Sequence, residues 1–430
     1  MQFKGQYHPV RSVAEDAGPS ATALLPKPSV ANAALDKDLD VSTPVLLLGG
    51  GGNSAAATRD FARHGIAVRL SAPATAWGVF SRYRTKSYIV PNGQDPQDYW
   101  RDLLLGPESG ELFGHIIIAL CDEAIEFLSK NHKALSRNHL VEDMNPRLRQ
   151  LMLDKQATLE QGRKAGVAVP NFWNINTLKD LQQVRREAVF PVMVKPIHSH
   201  LFVQEFGRKL FIIENSLDEV EEKVRLSFER GLEVMVCEMV PGPDTLLSSY
   251  YTYIDRDRRN LFHYTKSIIR RFPVNRGGAC YHQSEWLPET AACGQKFFAS
   301  MPWRGMANIE FKRDLRDGQL KVIEVNPRFT DAHRLMIEAG MPLGMMVYRS
   351  LTKQPVPRID SYDQNLRFWN PLRDFMAFLE MRRSGDLTFM GWLKSITIGR
   401  KVLAMFSLSD PAPTLIRLGQ EIRRAIQKKG

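Results

Sequence analysis

The sequence predicts an α/β and α+β protein: a small parallel-sheet domain, then two α+β lobes, then a helical C-terminal extension. Three observations predict it. Short apolar runs alternate with helical stretches early in the chain, period-two strands and hairpins dominate the middle, and amphipathic helical patterns take over from about residue 358. These shifts divide the chain into a lead-in at 1–42, a parallel-sheet domain at 43–145, the two lobes at 146–357 and the extension at 358–430.

At 430 residues the chain is long enough for two or three domains, each with its own core. The first forty or so residues are rich in Ala, Pro, Ser and Asp and lack a basic start followed by an apolar core. They read as a disordered lead-in rather than a secretory signal. No apolar run approaches the length that spans a bilayer. Cys121, Cys237, Cys280 and Cys293 are widely spaced, without a CxxC pair, which excludes a zinc pattern and a disulfide framework and predicts reduced thiols in the cytoplasm. The net charge of +11 fits nucleic acid, an anionic membrane or anionic small substrates equally well.

Val45 to Leu48 leads into Gly49-Gly50-Gly51-Gly52-Asn53-Ser54-Ala55, a helix over Ala56 to His64 and a second strand over Ala67 to Leu70. Gly50, Gly52 and Ala55 fit the dinucleotide fingerprint loosely. That reading, a dinucleotide-dependent oxidoreductase, requires an acid near Ala72 to hold a ribose, and the sequence there is Ser71-Ala72-Pro73. The glycines still offer backbone N–H groups at a helix start, so Gly51 and Gly52 are candidates for holding a substrate carboxylate. Further runs at Tyr88 to Val90 and His115 to Ala119 complete an open parallel sheet. Ser71, Arg82 and Asp122, at the carboxyl ends of its strands, are candidate substrate contacts or simple caps.

The middle of the chain opens with a helical pattern over Leu151 to Arg163, carrying Asp154-Lys155, and then Gly166 to Pro170. The strand Pro191-Val192-Met193-Val194-Lys195-Pro196 sets a lysine among apolar neighbours, a position that calls for an anionic partner. A polar loop with His198, Ser199 and His200, the strand Phe211 to Ile213, a helix over Leu217 to Glu229 and a strand over Val234 to Val240 follow, the last stopping at Pro241-Gly242-Pro243-Asp244. Leu246 to Tyr253 and Asn260 to Ile269 read as paired strands, with Lys266 projecting from the second. Arg270, Arg271 and Arg276 beside Gly277-Gly278 read as a flexible basic stretch suited to clamping an anion.

The stretch Met306 to Arg328 reads as a hairpin. A three-residue turn, Arg316-Asp317-Gly318, would set Glu310 directly opposite Glu324. Like charges about 5 Å apart across a strand pair are destabilising, so the pair asks for a cation between them. Mg2+ or Mn2+ held by Glu310, Glu324 and Asn326 and shared with nucleotide phosphates is one reading. An exposed hairpin whose acids pair with Lys312, Lys321 or Arg313 is the other. Arg328 follows, its planar fork suited to a phosphate or a carboxylate.

Taken in order, the glycine-loop domain, Asp154-Lys155 before GVAVP, the VMVKP strand, CEMVPGPD and the IEF to EVNPR hairpin resemble the ATP-grasp superfamily, in particular its carboxylate–amine ligases. The likeness covers Val45 to Pro357. It implies a pre-ATP-grasp domain followed by an ATP-grasp fold of two lobes, and ATP with two Mg2+ or Mn2+ ions. It also implies a reaction in which a carboxylate is activated as an acyl phosphate and joined to an amine, with amino-acid or peptide-like substrates. By the resemblance Lys155, Lys195 and Lys266 contact the phosphates, the backbone of Glu238, Met239 and Val240 reads adenine, and Asp244 holds the ribose. Glu310, Glu324 and Asn326 are then the metal ligands and Arg328 lies by the acyl phosphate. Substrate contacts in such ligases come from variable loops, and Arg82, Arg271, Arg276 and His333 stay open as candidates, Arg271 and Arg276 on the strength of the basic stretch itself. The loop His198-Ser199-His200-Leu201-Phe202 departs from the family's glycine-rich lid.

The last segment reads as helices over Asp374 to Arg383, Leu387 to Met405 and Thr414 to Lys429, broken by Asp410-Pro411-Ala412-Pro413. They predict either packing on the core or contact with the inner face of a membrane. The expected partners are a small-molecule carboxylate and amine, with a homodimer as the assembly and no nucleic acid. The competing reading from another class is a non-catalytic nucleotide-binding or membrane-surface protein.

Overall fold

A computed structural model describes residues 39–197, 202, 205–208 and 210–427. Residues 1–38 of the expected lead-in, the lid-like loop at His198 to Leu201 and the last two residues of the expected terminal helix lie outside the described residues. Four strands, β1 (Val45–Leu48), β2 (Val68–Pro73), β3 (Lys86–Val90) and β4 (Ile116–Ala119), form the predicted parallel sheet in the order β3-β2-β1-β4. Both faces are covered. Val45 and Leu47 pack with Phe61 of the helix Gly52–Arg63, while Leu46 and Leu48 pack with Trp100 and Leu128 from the helices Pro96–Leu105 and Asp122–Leu135. A strand buried on both faces reads as an unbroken apolar run, which is why β1 and β4 are VLLL and IIIA.

The first helix begins at Gly52, four residues before its expected start, because Gly49 and Gly50 turn the chain with φ of +72° and +92°. A Cβ on Gly49 would lie 2.3 Å from the Cys121 sulfur. Gly49→Ala is therefore expected to destabilise the fold by ~1–3 kcal/mol, whereas a Cβ on Gly51 meets nothing within 4 Å and Gly51→Ala should be close to neutral in a denaturant titration.

The expected helix over Leu151 to Arg163 is two helices, Pro146–Leu151 and Lys155–Lys164. Asp154 separates them as the cap of the second, accepting from the amides of Gln156 and Ala157. Next comes an antiparallel sheet of β5 (Phe172–Ile175), β6 (Val192–Pro196), β7 (Phe211–Ile213) and β8 (Val234–Glu238), ordered β5-β8-β6-β7. Val192 and Val194 face the helices Leu181–Glu187 and Leu217–Glu229, so by alternation Met193 and Lys195 face the other way.

The third sheet has seven strands in the order β13-β12-β9-β10-β11-β14-β15: β9 (Leu247–Ile254), β10 (Tyr264–Phe272), β11 (Gly278–Ser284), β12 (Gly305–Arg313), β13 (Leu320–Val325), β14 (Arg367–Trp369) and β15 (Lys401–Leu403). Two expectations are corrected here. The helix expected over Leu387 to Met405 ends at Thr397 and is followed by β15, which pairs in parallel with β14. The C-terminal segment is helical in the main, with Pro371–Ser384, Phe389–Thr397 and Ala412–Gln427, yet it also contributes two strands to this sheet. The second correction concerns β10, which starts later than expected and runs through Arg270 and Arg271. Arg270 is buried and bound by both Asp374 oxygens, at 2.6 and 3.1 Å, so it braces the fold rather than standing in a flexible anion-binding loop.

The hairpin β12–β13 does place Glu310 opposite Glu324. Its turn is longer than the expected three residues, since the strands end at Arg313 and Leu320. A bulge between Glu310 and Phe311 in the ladder adds the missing step, pairing Phe311 with Val322 and Glu310 with Glu324. That shift explains why both Val322 and Val325 are buried although they differ in parity.

His333 is buried with its ring stacked 4.4 Å from Phe329 and its Nε2 3.8 Å from the Asp60 carboxylate. Burial pushes its pKa down to about 3. The folded chain then refuses a proton that the unfolded chain accepts below about 6.5, so stability is fully present above that pH and is lost as pH falls toward 3. The expected slope is up to about 1.4 kcal/mol per pH unit from this side chain, and His333→Gln should flatten the acid limb of a stability-versus-pH curve.

Candidate active site

Three elements meet where the glycine loop, the small sheet and the large sheet face one another. Asn53 joins them: its Nδ2 donates to the carbonyls of Leu120 and Phe329, each at 2.8 Å, and its Oδ1 accepts from the Gly51 amide at 2.8 Å. The loop is thereby fixed against the exit of the hairpin. A cavity of about 770 Å³ opens beside it, walled by Gly49 to Gly52, Cys121, Asp122, Tyr251, Lys266, His282, Glu310, Glu324, Asn326, Arg328 and Asp331. The C-terminal segment closes the wall with Asn370, Arg373, Ala404 and Arg417.

A second cavity, about 250 Å³, lies between the antiparallel sheet β5–β8 and the hairpin. Lys155, Lys195, Glu238, Met239, Val240, Arg271 and Arg276 line it, as do Lys266, Glu310 and Glu324. The last three belong to both cavities. A smaller space of about 100 Å³ sets Lys155 near Asp122, Glu324 and Asn326. Of the candidate residues, Ser71, Arg82, Asp244, Arg270 and His333 line none of these spaces; Arg82 bonds instead to Asp410 and Ser409. Asp244 is buried behind Arg271, 3.7 Å from its Nε, and accepts from the Asn275 amide at 3.0 Å. Arg271 and Arg276 lie on the narrower cavity and not beside Gly51 and Gly52.

The electrostatics follow from this packing. Glu310 is half-buried because both cavities open onto it, and burial together with Glu324 pushes its pKa up from the ordinary 4.5. Lys266, 4 % exposed, is pushed down by burial and held up in part by Glu310, Asp331 and Glu324. The exposed-hairpin reading fails on its own partners. Lys321 pairs with Asp314 at 2.7 Å and Asp317 at 2.9 Å, Arg313 with Glu289 at 2.5 Å, and Lys312 donates to the Gly242 carbonyl at 2.7 Å. Glu324 accepts instead from Asn326 at 3.2 Å. Two carboxylates and an amide oxygen donor on one face, with the acids repelling, fit a hard divalent cation. Among the described residues no group of three or more His, Cys, Asp or Glu is placed to hold a metal ion.

Arg328 donates to Asp122 through Nε at 2.6 Å, joining the hairpin to the helix after β4. Lys195 is nine-tenths buried on the cleft face of β6, and Lys155 begins its helix with Nζ 3.5 Å from the Pro196 carbonyl. The Glu238 side chain turns away, accepting from the Val189 amide, Asn171 and Arg316. Its own amide and that of Met239 bond to the carbonyls of Asn171 and Pro191. Ser71 accepts from Trp100 Nε1 and no acid replaces it, so the ribose contact required of a dinucleotide site is absent from the end of β2.

Sequence reasoning missed Lys312 as a wall of the narrower cavity, although it shares a strand face with Glu310 two residues away. It also missed Tyr251, His282 and Asp331, which reach the larger cavity from β9, β11 and the loop after Arg328. Asn53 was legible only as part of the glycine loop.

The likeness to solved structures shows the ATP-grasp fold, and the sequence relatives point to its carboxylate–amine ligases. The chain is similar to the D-aspartate ligase of Enterococcus faecium (strain Aus0004), 28 % identical over 145 residues, which are 32 % of this chain and 34 % of that protein. It is also similar to the vancomycin/teicoplanin A-type resistance protein VanA of Enterococcus faecium, 26 % identical over 220 residues, covering 46 % of this chain and 60 % of that one. The matches thus span less than two thirds of either relative. Among solved structures, the biotin carboxylase domain of the Hydrogenobacter thermophilus 2-oxoglutarate carboxylase, crystallised with MgADP, ADP and bicarbonate, aligns with a TM-score of 0.59 at 16 % identity over 75 % of this chain and 73 % of that one. No family model matches the chain.

Proposed function

We propose that the protein is an ATP-dependent ligase that activates a carboxylate as an acyl phosphate and joins it to an amine, with amino-acid or peptide-like substrates. The observation that carries this reading is the junction: Lys266, Glu310 and Glu324 line both the cleft suited to a nucleotide and the larger cavity suited to two small substrates. A phosphoryl group at that junction would have ATP on one side and its acceptor on the other. The names of the sequence relatives support an amino-acid substrate.

In this reading Lys155 and Lys195 bind the phosphates from the cleft side and Lys266 from the junction. With the Glu238 and Met239 amides bonded inside the protein, adenine recognition narrows to the carbonyls of this stretch and the Val240 amide. Asp244 holds the ribose after a shift of Arg271, and Gly51, Gly52, Arg271 and Arg276 are proposed substrate contacts. Glu310, Glu324 and Asn326 would hold two Mg2+ or Mn2+ ions, whose charge would offset that on the phosphoryl oxygens. The carboxylate oxygen attacks the γ-phosphorus and ADP leaves; the amine then attacks the acyl carbon, loses a proton, and phosphate leaves. Arg328, held by Asp122, faces the acyl phosphate. Closing the Phe190 to Val240 lobe over ATP would keep water from that intermediate.

The domain boundaries at 43–145, 146–357 and 358–430 belong to this proposal, as do a homodimeric assembly and a cytoplasmic location at the inner face of a membrane. Among the described residues no helix is long and apolar enough to cross a membrane. The test is ADP release from Mg-ATP against a panel of amino acids, singly and in pairs. Release that requires two partners is expected. Release that proceeds equally with no acid present would overturn the proposal.

A further inference from the structure

The helix Phe389–Thr397, FMGWLKSIT, contains no buried residue although its sequence is dominated by large apolar side chains. It packs by one edge on the helix Pro371–Ser384, with Trp392 stacked 4.9 Å from Phe378 and Phe389 6.1 Å from the same ring. Its outer face leaves Phe389, Met390 and Leu393 exposed at 48, 69 and 38 %, and the companion helix adds Leu372, Phe375 and Met376. Scattered exposed apolar residues need no explanation, whereas six on one helical hairpin do. The exposed charged residues of this hairpin and its exit are Arg382, Arg383, Lys394 and Arg400, with Asp386 as the acid.

We propose that this helical hairpin docks the protein on an anionic lipid surface, its apolar face entering the headgroup boundary and its basic side chains meeting the lipid phosphates. Aromatic and aliphatic groups flanked by Arg and Lys are the composition of an interfacial helix, and each such cation adds attraction to an anionic leaflet. A second copy of the chain is the weaker occupant, since it would bring the same basic rim, and a net charge of +11, against itself. The helix Pro371–Ser384 begins beside Asn370, and Arg373 in its first turn is part of the wall of the larger cavity. Its 14 residues span about 21 Å, so docking would bring that cavity near the lipid.

The test uses the full chain in flotation with vesicles of phosphatidylcholine alone or mixed with phosphatidylglycerol, at low and high salt, and is read without any turnover, so it stands or falls apart from the ligase reading. The chain is expected to float with the anionic vesicles, less so in high salt. The double variant Met390→Asp, Leu393→Asp should lower the bound fraction by roughly tenfold or more. Both side chains are exposed on a helix with no buried residue, so the melting temperature should not change. Failure of the full chain to float, an unchanged bound fraction in the variant, or a dimer in solution that the variant dissolves would each overturn the proposal.

Discussion

Glu310→Gln is expected to lower ATP turnover by roughly a hundred- to thousandfold while raising the melting temperature of the nucleotide-free protein. The two effects share one cause. Glu310 faces Glu324 across the ladder at a half-buried position, and burial with that like charge disfavours its ionised form. Replacing it with the neutral isostere relieves a repulsion of about 0.5–1 kcal/mol in the resting protein. It also removes a proposed metal ligand from the junction of the two cavities. A pair kept for structure alone would give no such trade, because turnover would survive the gain in stability. Coupled measurement of ADP release and thermal unfolding separates the cases.

The second large effect is expected at Asp410, which lines none of the cavities of the site. Its side chain is fully buried and accepts from Arg59 Nε at 2.8 Å, Ser81 Oγ at 2.7 Å and the Arg82 amide at 3.0 Å. Arg59 also donates to the carbonyls of Met405 and Asp410. Asp410→Ala leaves that guanidinium buried beside a void, at a cost of ~3–5 kcal/mol. Arg59 and Asp410 tie the C-terminal segment to the first helix of the parallel-sheet unit, and Ala404 and Arg417 of that segment wall the larger cavity. Loss of the pair should therefore weaken substrate binding as well as stability. Calorimetric unfolding and the KM for the acid and amine would show both. Asp386→Ala, on an exposed turn, serves as the control and should change neither.

Much of this was open to reading in one sequence because the relevant signals are local. A double-sided strand leaves an apolar run, a hairpin leaves a period of two, and each of the phrases around Lys195, Glu238 and Glu324 is a run of only a few residues. The register of Glu310 against Glu324 emerged correctly from an incorrect turn, since a longer turn and a bulge shift the ladder by the same amount. Parity along β12 could have revealed Lys312. Nothing local reveals Tyr251, His282 or Asp331, whose meeting depends on the order of strands in the large sheet. Arg270 was misplaced because the sequence shows its charge and not Asp374, 104 residues away. β14 and β15 are three residues each, too short for any period, and β15 lies inside what otherwise reads as a helix.

Supplying the acid with heavy oxygen in both carboxylate positions, together with Mg-ATP and the amine, shows whether the acid is activated by phosphoryl transfer at the junction of the two cavities. Transfer of one heavy oxygen into the released inorganic phosphate, with the other retained in the amide, is the predicted result. Phosphate free of label, or label found in AMP, would contradict it.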